Sequence, residues 1–151
     1  GECAQDEAAH REFSLVFDHC MGHIDTGHRY HYHLLPLCLF DLLGIAHPND
    51  TAYWKEMMIS KNYSKFWPLH SSAPSPLIGW ALDGFPIYGP YDSNNTLAYL
   101  SDGGLDECGG KNGSDGRYRY YASPAPPYFP ACFVGTKGTF EDTYVHKACP
   151  T

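Results

Sequence analysis

Two sixteen-residue stretches of this chain, Asp18–His33 and Asp106–Tyr121, align without a gap and agree at six positions: Asp, Cys, Gly, Arg and both Tyr. In each stretch the cysteine precedes the first tyrosine by ten residues, and a second cysteine, Cys38 or Cys132, follows beyond a proline. A degenerate internal repeat of this kind predicts two related supersecondary units, about 18–40 and 106–135, packed around a pseudo-two-fold. The same symmetry selects a disulfide pattern from the fifteen that six cysteines allow. Cys20–Cys38 and Cys108–Cys132 become the equivalent bridges, and Cys3–Cys149 is left to tie the termini.

At 151 residues the chain suits one domain, 1–151, with a real core. Twelve prolines and fifteen glycines interrupt nearly every segment, so short strands and long loops are expected. Residues 6–17 and 50–59 have helical character. Residues of about 44–70 read as an insertion between the first repeat and the central strands. Leu77–Leu82 reads as a strand that turns at Asp83-Gly84 into Phe85–Tyr88. The expected class is α+β and β-rich: a single disulfide-stapled domain.

A net charge of −7 without a basic stripe disfavours nucleic acid and anionic lipid as partners. No run of about 18 apolar residues is present to span a membrane. No apolar segment leads the chain, and Gly1 reads as the start of a processed or trimmed polypeptide. An even cysteine count without Cys-x-x-Cys fits disulfides made in an oxidising compartment. Four sequons, at Asn49, Asn62, Asn94 and Asn112, independently predict a secreted eukaryotic glycoprotein.

Five of the nine histidines fall within Asp18–His33, which ends Tyr30-His-Tyr-His33. In a strand, His31 and His33 share one face and Tyr30 and Tyr32 the other. Two imidazoles about 6–7 Å apart along a strand can chelate a cation if a third ligand arrives. His19, His23 and His28 are the nearest sources. His23 is preferred, because its aligned partner is Lys111 and the histidine pair is lost in the same copy. Asp83 can add an oxygen ligand or orient an imidazole. Nitrogen ligands without a free thiolate favour copper, with zinc second. The plain alternative is a His- and Tyr-rich surface strand without metal.

Other features read as structural. Asp18 and Asp106 are retained in both copies, which favours caps bonded to backbone amides. Arg29 and Arg117 follow the same reasoning, and lone His10, His47, His70 and His146 are ordinary packing residues. Asp92-Ser-Asn-Asn and Asp102-Gly-Gly lack the spacing of a calcium loop. No serine-hydrolase elbow, P-loop or dinucleotide fingerprint occurs. Trp54, Trp67 and Trp80 read mainly as core.

Four blocks together resemble the YHYH domain family: Tyr30–His33, Pro76–Pro90, Leu105–Gly110 and Cys132–Gly135. The resemblance implies an extracytoplasmic domain whose namesake histidines are candidate metal ligands, and it implies no particular reaction. One departure stands out. The second copy reads Tyr118-Arg-Tyr-Tyr121 where the family commonly has something close to a further Tyr-His-Tyr-His, so one site is expected to be kept and its twin lost.

The reading that follows is a secreted, glycosylated metal-binding domain holding copper or zinc through His31, His33 and His23. One version is an oxidative copper enzyme with Tyr30 or Tyr32 nearby. The other is a closed site that only binds, favoured by the lack of a definable second catalytic group. The rival is a non-catalytic recognition module that grips an extracellular polysaccharide or protein through aromatic residues.

Overall fold

The structure, a computed structural model, describes residues 18–24, 28–32, 34–48, 67–101 and 103–139. The helices expected at 6–17 and 50–59, together with Cys3, Cys149, His33, Asn49, Asn62 and Trp54, lie outside the described residues.

Among the described residues the regular elements are six short strands and one short helix, in keeping with a β-rich α+β class. Strands β1 (Gly22–Ile24) and β2 (Tyr30–Tyr32) form an antiparallel two-stranded sheet. Strands β3 (Leu77–Trp80), β4 (Pro86–Tyr88), β5 (Gly110–Asn112) and β6 (Tyr118–Tyr121) form a second sheet in the order β3-β4-β6-β5. Within it β3–β4 and β5–β6 are antiparallel hairpins, and the parallel pairing of β4 with β6 joins them. The β3–β4 turn is made where Asp83-Gly84 predicts it. Ala81 N–H donates to the Phe85 carbonyl, and Gly84 takes φ 85°, a conformation that suits a residue without Cβ.

Helix α1 (Leu37–Leu43) was not foreseen from an apolar run too short to show periodicity. It begins after Pro36 and stops at Gly44, which adopts φ 67° and donates its N–H to Asp41 and Phe40 carbonyls. The helix buries Leu37 and Phe40 and carries Cys38, which is bonded to Cys20. Around it the core gathers Met21, Leu34, Leu35, Ile45, Trp67, Tyr91, Leu97, Ala122 and Tyr128. Ile45 and Trp67, near the two ends of the 44–70 segment, both belong to this core.

The two aligned stretches fold alike locally. Their registers correspond: Gly22↔Tyr32, His23↔His31 and Ile24↔Tyr30 in one, Gly110↔Tyr120, Lys111↔Arg119 and Asn112↔Tyr118 in the other. Cys20–Cys38 and Cys108–Cys132 are both disulfides. The surroundings differ, because β1–β2 stands as its own sheet while β6 is paired on both sides.

Candidate metal centre

The site is built from a latch that shapes each hairpin. Asp18 Oδ1 accepts the N–H groups of Cys20 (2.9 Å) and Gly22 (3.1 Å), and its Oδ2 accepts the Tyr30 hydroxyl at 2.7 Å. Asp106 repeats this with Cys108 and Gly110 N–H (both 3.0 Å) and the Tyr118 hydroxyl at 2.8 Å. The tyrosine must cross the neighbouring strand to reach its carboxylate. A Cβ on Gly22 or Gly110 would collide with that phenol, so the crossing requires glycine. Burial pushes the Asp18 carboxyl upward, but the Tyr30 hydroxyl and the Gly22 and Cys20 amides outweigh it and hold it below its ordinary value. Tyr30 is raised well above the usual phenol range, chiefly by its bond to Asp18. Both aspartates thus act as the caps that their shared alignment position leads one to expect.

On this frame the register sets His23 directly opposite His31. Directly opposed residues project from the same face of an antiparallel pair. Their rings lie with centroids 4.4 Å apart and planes inclined at 53°, both half-buried. His31 Nδ1 meets the Arg29 carbonyl at 3.2 Å. A carbonyl only accepts, so Nδ1 is the donor in this bond, and in the neutral imidazole that puts the lone pair on Nε2. Tyr30 and Tyr32 pack edge-to-face, centroids 5.4 Å apart, on the opposite face by strand alternation.

The remaining sequence candidates fall elsewhere. His33 follows β2 outside the described residues. His28 is exposed in the hairpin turn at φ 60°. His19 is exposed, with Nε2 3.6 Å from Cys20 Sγ. His19, Cys20 and Cys38 present ligand-type atoms within 4.8 Å of one another, but both sulfurs are spent in the disulfide. The Asp83 carboxylate is engaged with the second hairpin. Its Oδ2 accepts the Tyr120 hydroxyl at 2.6 Å and Gly135 N–H at 3.0 Å, and its Oδ1 accepts Phe85 N–H at 3.4 Å. Trp67 is core while Trp80 is 65% exposed, so these two do not share one stacking face. The cross-strand meeting of His23 with His31 is the feature that sequence reasoning did not derive. The turn-forming residues Asp25, Thr26 and Gly27 between the two segments were the signal for a hairpin.

The chain matches the family described as YHYH protein over residues 2–102, about two thirds of its length. It belongs to the YHYH family. The matched residues take in β1–β2, α1 and β3–β4 and end before the second hairpin, so the histidine-bearing copy is the one inside the family match. No curated protein and no solved structure matches the chain. The two disulfides fit a protein matured under oxidising conditions. Among the described residues no helix is long and apolar enough to cross a membrane.

Proposed function

We propose that this YHYH protein is secreted and holds a divalent transition metal, copper first and zinc second, on the histidine face of its first hairpin. The observation that carries the reading is the opposition of His23 and His31 with ring centroids at 4.4 Å. Two imidazoles on one ion, with metal–nitrogen bonds of about 2.0–2.1 Å, place their centroids roughly 4.5–5 Å apart. The pair therefore needs little movement to chelate. His33, two residues after His31 in the sequence, is the proposed third ligand. Asp83 is assigned a structural role instead, since its carboxylate is already engaged by three donors.

The site is read as one that binds rather than one that oxidises a substrate. Tyr30 donates to Asp18 and lies with Tyr32 on the face away from the imidazoles, so neither phenol stands beside the metal. The exposed sequon asparagines Asn94 and Asn112 support secretion with glycosylation. We further read the two hairpins as copies of one unit, one keeping histidines and the other carrying Lys111 and Arg119 at the opposed positions.

Elemental analysis of dialysed full-length protein tests this, run beside His23→Ala/His31→Ala. Near-stoichiometric copper or zinc in the parent, lost in the variant while the fold survives by circular dichroism, is the expected result. A parent that neither carries nor tightly takes up either ion overturns the proposal.

A further inference from the structure

The second hairpin carries a cavity that the metal reading does not use. About 550 Å³ opens between the 92–101 loop and the β5–β6 hairpin, within the size range of small-ligand sites. At its base Lys111 Nζ donates to Asp92 Oδ2 at 2.7 Å and to Ser101 Oγ at 2.5 Å. The Asp92 side chain is only 4% exposed and is further fixed by Asn94 N–H on Oδ1 at 2.9 Å. Burial raises its carboxyl, but the Lys111 bond and the Asn94 amide prevail and keep it ionised. Lys111 also sits 5.6 Å from the centre of the Tyr121 ring, which holds the ammonium in place.

The charge balance decides what such a cavity can take. Among the described residues lining it, Asp92 and Lys111 are the charged ones, and they neutralise each other. An anion would face the carboxylate, and a cation the ammonium. An apolar guest would strand the hydroxyl and amide side chains of Ser93, Asn94, Thr96 and Asn112 that line the wall. A neutral ligand rich in hydroxyls meets none of these penalties, because each hydroxyl both donates and accepts. A second observation points the same way. Both described sequons open onto this one cavity: Asn94 with Thr96 on one side, and Asn112 with Ser114 on the other.

We infer that this cavity seats a neutral sugar ring, held by Asp92, Ser101 and Lys111. The ring comes either from a saccharide in solution or from a glycan attached at Asn94 or Asn112. The site is independent of the metal reading, since none of its residues is a proposed ligand.

The test uses the full chain made without glycosylation and labelled with ¹⁵N, titrated separately with N-acetylglucosamine, mannose and inorganic phosphate. The blocked control is Ser114→Trp, an exposed position at the rim. Saturable shifts at Asp92, Ser101, Lys111 and Tyr121 with at least one sugar, weakened about tenfold or more in the folded S114W variant, are expected. No saturable response to either sugar, an equal response in S114W, or saturation of these residues by phosphate instead overturns the proposal. The glycosylated full chain then identifies the source. If added sugar no longer shifts these residues, the protein's own glycan fills the cavity. If it still does, the ligand is external.

Discussion

His28 and Met21 occupy left-handed backbone conformations, φ 60° and 68°, that cost an ordinary residue about 1 kcal/mol or more. The aligned positions of the second hairpin are Gly116 and Gly109, at φ 74° and 85°, where no Cβ resists. Met21 is buried in the core, and its packing offsets the strain. His28 is exposed and has no such compensation. Replacing it, His28→Gly, is expected to stabilise the protein by up to about 1 kcal/mol, a rise of roughly 2–4 °C in Tm for a chain of this size. Calorimetry reads the gain, and metal content that stays at the parental level would show that His28 is not a ligand. A Tm that falls would mean that the imidazole contributes more than the backbone strain costs.

Each hairpin works as an element because its tyrosine crosses a glycine to reach an aspartate. This accounts for three of the six shared positions of the alignment, Asp, Gly and the first Tyr. Gly22→Ala and Gly110→Ala should each push the phenol off its carboxylate. An overpacking cost of about 1–3 kcal/mol is expected, together with a changed near-ultraviolet tyrosine signal. Denaturant unfolding checks the size of the effect. In Gly22→Ala metal affinity should fall as well, because the latch holds the register that opposes His23 to His31. Metal binding unchanged in a variant destabilised to this extent would uncouple the latch from the site.

At the scale of the molecule, Asp83 ties three separate parts of the chain together: the β3–β4 turn, β6 through Tyr120, and residues 134–135. Tyr120 Oη donates to Asp83 and accepts Val134 N–H at 2.8 Å. Burial raises the Asp83 carboxyl, but Tyr120, Gly135 and Phe85 overcome it and leave the pKa lowered. A lowered carboxyl stabilises the fold above its unfolded value of about 3.9, and the benefit is lost as pH falls through the folded value. Burial first, and then Asp83, push Tyr120 up to about 12. A raised phenol gives full benefit below its unfolded value of about 10 and loses it as pH climbs from there towards about 12. Tyr120→Phe should therefore cost about 1–3 kcal/mol near neutrality, because it removes a hydrogen bond to a carboxylate. It should also flatten the alkaline limb of a stability-against-pH curve. An alkaline limb identical to the parent's would place that titration elsewhere.

The sequence by itself determined what is local and periodic. The Asp83-Gly84 turn, the strands on either side of it, the two bridges Cys20–Cys38 and Cys108–Cys132 and the capping aspartates all follow from short-range chemistry or from comparing one stretch with the other. Helix α1 escaped because seven residues carry too little periodicity, although Pro36 and Gly44 marked its ends. Only the tertiary structure decided which side chains meet across the chain. His23 finds His31 because a hairpin register opposes them, and Asp83 goes to Tyr120 because β4 pairs in parallel with β6. The Lys111–Asp92 cavity exists because a loop 19 residues away in sequence folds over β5. Such meetings depend on strand order and on burial, and neither is written in the spacing of residues along the chain.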